Sequence, residues 1–183
     1  MKKLTTVAPV LALTALLGAC STMGTTASAP MAAPQVPAVV TVPAGNKVAM
    51  TAVGMGDLTY ECRAKADTAG AFEWVFVGPN AMLYDMNKNA VGKYYGGPTW
   101  ESMDGSKVTG KQLAVSPGDA GAIPLQLVQA NPAMGTGAMA GVTYIQRVKT
   151  VGGVAPADAC TAASVGTKKL VKYQADYVFY KAS

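Results

Sequence analysis

VGKYYGGPTWESMDGSKVTG, residues 91–110, decides how the chain is to be read. Val91 to Tyr95 is β-branched and aromatic, and Gly96-Gly97-Pro98 breaks the run. Thr99-Trp100-Glu101-Ser102 then faces Lys107 to Leu113 across Asp104-Gly105, a pair favoured in two-residue hairpin loops. Short strands separated by tight corners leave no room for a helix, and the same grammar extends in both directions.

Upstream, 48–55 alternates weakly up to Gly56-Asp57, and Leu58, Tyr60, Cys62 and Ala64 share one face of 58–64, so the two segments read as a hairpin. Residues 71–77 place Phe72, Trp74 and Phe76 on one face and stop at Gly78-Pro79-Asn80, a turn signature. Downstream, 123–129 and 142–151 are apolar runs, a glycine-rich loop spans 135–141, and 174–181 closes the pattern. Tyr177 and Phe179 lie on one side of that last segment, Val178 and Tyr180 on the other. Segment 152–172 lacks a strand pattern. About ten short strands at hairpin spacing predict an all-β domain, a single antiparallel β-sandwich or small barrel, over residues 47–183. The 20 glycines and 11 prolines, against 14% charged residues, favour strands and turns in the same way.

The chain is 183 residues long, room for one core once its ends are set aside. Lys2 and Lys3, the apolar run 7–17 and then Leu17-Gly18-Ala19-Cys20 have the form of a secretory leader. Its end looks like the lipobox of bacterial lipoproteins. That resemblance implies cleavage after residue 19, a diacylglycerol on the Cys20 sulfur, palmitate-type acylation of the new amino terminus and anchoring in a membrane. The alternative is an ordinary signal peptide with a chance cysteine. By the sorting rule of enterobacteria-like lipoproteins, which the same resemblance brings in, Ser21 in place of an aspartate implies the outer membrane, with the domain in the periplasm or at the surface. Residues 20–46 form the expected tether, since 21–45 hold no charge and no aromatic residue. With Cys20 committed to lipid, Cys62 and Cys160 are expected to pair as a disulfide in an oxidising compartment; two buried free thiols are the alternative.

Composition narrows the chemistry. With Lys2 and Lys3 set aside, 13 basic residues face 10 acidic ones, a scattered net charge of +3 that gives nucleic acid nothing to bind. The sequence contains no histidine, so hydrolytic triads fail, and a zinc site would need cysteines already committed. Gly105 to Lys111 has the glycine spacing of a phosphate-binding loop, but Gln112 stands where Ser or Thr should meet magnesium. Gly135 to Ala140 loosely fits a dinucleotide fingerprint yet precedes a strand instead of opening a helix. No nucleotide, metal or other cofactor is expected, and no catalytic residue is assigned.

What remains is a candidate binding surface of Tyr95, Trp100, Glu101 and Arg147, with Tyr94 beside them, where aromatic faces held by Gly-Gly-Pro could stack on a sugar or a partner side chain. The alternative has Trp74 and Trp100 filling the core. Arg147 shares a face with Thr143 and Ile145 and is expected to pair inward with Glu61 or Asp176. The expected function is a binding or structural module of the cell envelope, without catalysis, meeting a glycan or protein partner. Two rivals stand beside it: an enzyme acting on envelope polysaccharide through Glu101 and an aspartate such as Asp104, and an inhibitor of lysozymes, on architectural analogy.

From about Leu58 to Tyr180 the chain resembles an uncharacterised family of secreted and envelope proteins, domain-of-unknown-function family 3455. The likeness is carried by Tyr60-Glu61-Cys62, Trp74, Gly78-Pro79, Gly92, Tyr95, Gly97-Pro98-Thr99-Trp100-Glu101 and Asp104-Gly105-Ser106. It continues through Ile123-Pro124, Val142 to Arg147, Gly152-Gly153, Cys160, Ala175-Asp176-Tyr177 and Phe179-Tyr180. Members often show histidine where this chain has Lys93 or Tyr94, which argues against a histidine-dependent activity. The resemblance implies no established function.

Overall fold

The computed structural model describes residues 31–183; the leader, Cys20 and Ser21 lie outside the described residues. Eight strands follow one another: β1 Asn46–Ala64, β2 Phe72–Tyr84, β3 Ala90–Tyr95, β4 Thr99–Ser102, β5 Lys107–Ser116, β6 Leu125–Ala130, β7 Val142–Gly152 and β8 Lys168–Ala182. Each pairs antiparallel with the next, and β8 returns to β1, so the sheet closes into a barrel with no free edge along its wall. Of the two architectures expected, the barrel is the one formed.

The strands are fewer and longer than expected because two supposed turns are strand interior. Gly56 and Asp57 stay in register with Ala81 and Asn80 on one side and with Tyr173 and Lys172 on the other. A Cβ on Gly56 would lie 2.2 Å from the Asn80 carbonyl oxygen, so this glycine marks a close approach of backbones instead of a corner. Gly78-Pro79-Asn80 likewise continues β2. β3 gives out at Tyr95, opposite Asn80, so on that side no ladder calls on the missing amide of Pro79. The register against β1 slips at Thr59/Tyr60, leaving Val77 as an extra residue in a bulge. Segment 152–172 was expected to lack a strand, yet β8 begins at Lys168. Lys168, Lys169 and Leu170 pair only with Glu61, Tyr60 and Thr59 of β1, beyond the last β7 partner at Tyr173, and this one-sided ladder is wetted enough to carry lysines in succession. The Asp104-Gly105 corner does join β4 to β5, but through the four residues 103–106, with Gly105 at φ +84°.

Inside, Trp100, Tyr177, Phe179, Ile145 and Val108 are all but excluded from solvent. Tyr94 stacks on Trp100 with ring centroids 4.8 Å apart, and Tyr177 meets both rings at 5.0 and 5.9 Å. Gly54 makes space for that trio, since a Cβ there would sit 2.5 Å from the Tyr177 ring.

Outside, Val148, Val178 and Tyr180 form a second apolar cluster because β8 is apolar on both faces. Val36 and Val42 pack on it, the Ala38–Val40 turn buries Val40 completely, and Gln146 Nε2 donates to the Val40 carbonyl at 2.6 Å. Residues 36–42 were expected to belong to a flexible tether. They are instead a strap laid on the barrel, held where its own Val36 and Val42 cover the outer cluster. Cys62 and Cys160 form the expected disulfide, with Cα atoms 5.5 Å apart, and tie the loop after β7 to the tip of β1.

Candidate ligand site at the barrel mouth

The four residues expected to form one surface do not meet. Trp100, 1% exposed, belongs to the core. Tyr95 and Glu101 lie on the outer wall, because alternation along β3 and β4 turns them away from Tyr94 and Trp100. There the Tyr95 hydroxyl donates to Glu101 Oε2 at 2.5 Å and Lys107 Nζ approaches the same carboxylate at 3.6 Å. The Tyr95 hydrogen bond, helped by Lys107, holds the Glu101 carboxyl below its usual pKa. Arg147 lines the cavity at the barrel end, whereas Glu101 borders a small outer hollow with Lys93, Ser102 and Met103.

Arg147 does not pair with an acid. Glu61 faces outward between Tyr60 and Cys62 and is held by Arg63 and Lys168; Asp176 faces outward with Val148 and is held by Lys149. Arg147 instead donates Nε and Nη2 to one acceptor, the Pro124 carbonyl, at 3.1 and 2.9 Å. Both bonds run from the same edge of the guanidinium, so the group is fixed in orientation while its Nη1 side has no acceptor among the described residues.

The cavity around it has a volume of about 430 Å³ at the end of the barrel where β1, β5 and β7 finish. Leu58, Tyr60, Tyr94 and Ile123 form its deep walls, all at most 8% exposed, and Phe76, Pro79 and Pro98 form its rim. Gln112 and Gln126 line the β5–β6 side and are bonded to each other through Nε2 and Oε1. Tyr60 donates to the Gly153 carbonyl at 2.7 Å, and the Tyr173 and Tyr177 hydroxyls are 3.2 Å apart beneath the floor. Burial raises the pKa of Tyr60, Tyr94, Tyr173 and Tyr177, while the Arg147 charge pulls each of them part of the way back. All four phenols are therefore neutral at physiological pH and cannot serve as counter-ions. Among the described residues no carboxylate lines the cavity, and no group of three or more His, Cys, Asp or Glu side chains could hold a metal ion. Tyr60 and Phe76 were read from sequence only as members of strand faces and neither glutamine as lining a site; the signal for a site was the inward register of an arginine in a set of inward positions without a single acid.

The opposite end holds a second space of about 420 Å³, lined by Met50, Leu83, Met139 and Phe179. Ala138 and Met139 of the 135–141 loop form part of its wall, and Asp104 holds that loop down. Asp104 accepts from the Ser106 hydroxyl and amide at 2.5 and 2.8 Å and from the Ala138 amide at 2.7 Å, bonds that lower its pKa to about 2. Gly137 must be glycine here, at φ +146° with a Cβ position 2.5 Å from the Asp104 carboxylate. The glycines that loosely matched a nucleotide fingerprint thus serve the seating of this loop. Glu101 and Asp104 are each engaged by neighbours in the fold, on the outer wall and beside the 135–141 loop.

No curated protein and no solved structure matches the chain. One family model does, over residues 43–181, that of a protein of unknown function, DUF3455, and the chain belongs to that family.

Proposed function

We propose that this member of the DUF3455 family is a small-molecule binding module of the cell envelope, a barrel whose arginine-bearing mouth receives a ligand. One observation carries the reading: a preformed cavity of about 430 Å³, mostly apolar and aromatic, in which one oriented cation has no counter-ion. Ligand sites are of this size and make-up, with a few fixed polar groups in an apolar lining. A catalytic reading finds less support, because the cavity wall offers neither a nucleophile beside a base nor a pair of carboxylates.

The module is presented, in this reading, by a lipid on Cys20 at the outer membrane, with the strap 36–42 fixing where the tether leaves the barrel. Palmitate labelling of wild type against Cys20→Ala tests the anchor: label is expected on the first alone, and equal labelling of both refutes it. For the cavity, the test is a thermal-shift screen of the full chain against one- and two-ring compounds, charged and neutral. A saturable hit is expected to move the NMR signals of Tyr60, Tyr94 and Arg147. If every saturable hit maps elsewhere, or none is found, the binding function is lost.

A further inference from the structure

We propose that the ligand carries an oxyanion, a carboxylate or a phosphoryl group on a compact ring body, and that it docks on the free edge of Arg147. The inference rests on the binding reading above and adds the chemical class.

A guanidinium has five N–H donors in a planar fork. Here the Nε and Nη2 hydrogens on one edge converge on the Pro124 oxygen. The remaining edge, formed by Nη1 and the second Nη2 hydrogen, is the one that matches two oxygens of a carboxylate or phosphate side by side. Its orientation is already fixed, so little rotamer freedom is lost when an anion arrives. Lysine in this place would be a point charge without that geometry.

The surroundings favour such a pair. Leu58, Tyr60, Tyr94 and Ile123 are buried beneath the partly exposed arginine, so a ligand whose ring covers these walls shields the fork from water, and a charge-assisted hydrogen bond then counts for more than at an open surface. Apart from the Pro124 carbonyl the cavity offers this cation no partner, and no carboxylate of its lining competes with an incoming anion. The neutral phenols of Tyr60 and Tyr94 and the ring of Phe76 offer contact area without opposing charge. At about 430 Å³ the space lies near the lower end of ligand pockets, which suits a body of one or two rings and excludes a two-chain lipid.

The test is isothermal titration of the full chain with 2-naphthoate, 2-naphthamide and 2-naphthyl phosphate. Wild type is compared with Arg147→Gln, Arg147→Lys and the surface control Lys111→Gln, with folding checked by circular dichroism. Wild type and Lys111→Gln are expected to bind naphthoate or the phosphate roughly 10- to 100-fold more tightly than the amide, a difference of the order given by a charge-assisted pair. Arg147→Gln is expected to bring the anions down to the amide, and Arg147→Lys to keep only part of the preference because the fork is gone. The better of the two anions identifies the head group. If amide and anions bind wild type equally, the oxyanion inference falls while cavity binding stands. If none of the three binds a folded wild type, both fall.

Discussion

The two ends of the barrel enclose nearly the same space, about 430 Å³ beside Arg147 and about 420 Å³ beside Met139, but they use charge in opposite ways. At the methionine end, both Asp104 oxygens are taken by the Ser106 and Ala138 donors and the charge becomes a latch. At the arginine end, one edge of the fork is anchored on Pro124 and the other is left open. A charged group saturated by its own fold is structure. One held rigid but half-saturated is where something else is expected to bind.

The comparison is most severely tested through the core that both ends share. Trp100→Ala should cost about 4 kcal/mol of stability, the scale for emptying a buried aromatic site, in urea unfolding followed by circular dichroism. Trp100→Phe should cost clearly less, because the buried indole N–H has no acceptor among the described residues. A Trp100→Ala protein of undiminished stability would return Trp100 to the surface. Reduction of the Cys62–Cys160 bridge comes next. It releases a cross-link across 98 residues near the arginine end and should cost about 3 kcal/mol, read as a shift of the urea midpoint with reductant. No shift would mean that the loop is held by its other contacts, such as the Trp74 Nε1 bond to the Asp158 carbonyl.

Much of this fold was legible in the sequence, for reasons visible at particular residues. Alternation picked out Leu58, Tyr60 and Cys62, and Tyr177 with Phe179, because side chains on a closed wall have only two directions to point. Gly56 misled because a glycine needed for close backbone approach and a glycine needed for a turn are the same letter, and Gly78-Pro79 because it follows a bulge at Val77 within a continuing strand. The strap 36–42 misled because its valines, visible in the sequence, find their apolar partners only in Val148, Val178 and Tyr180, more than a hundred residues away. In the candidate site, Arg147 was legible as an inward cation, but Tyr95 and Glu101 were not separable from Tyr94 and Trp100 until alternation and register placed neighbours on opposite faces.

The latch makes a smaller prediction with a definite sign. Asp104 has its pKa lowered from 3.8 to about 2, so its contribution to stability is fully present above pH 4 and is lost as pH falls toward 2. Asp104→Asn should lower the melting temperature at neutral pH and flatten the dependence of melting temperature on pH between 4 and 2. An unchanged slope in that window would assign the acid sensitivity to other carboxylates, and the two ends would no longer differ as argued.

The smallest effect is expected on the outer wall, and its smallness is informative. Tyr95→Phe removes the hydroxyl that reaches Glu101, and Glu101→Gln removes the charge that Lys107 approaches. Both groups are wet enough that water replaces what is lost, the usual fate of surface ion pairs. Neither variant should move the urea midpoint beyond experimental scatter, and neither should change naphthoate affinity, because neither side chain touches the cavity. The one titration that does move is that of Glu101, whose carboxyl should rise toward its ordinary range in Tyr95→Phe, since that hydroxyl is the main reason it is low. Carbon-13 NMR of the Glu101 carboxyl reads this directly. A fall in ligand affinity with either variant would move the site from the inside of the barrel to its outer wall, and Arg147 would then be one more cation satisfied by its carbonyl.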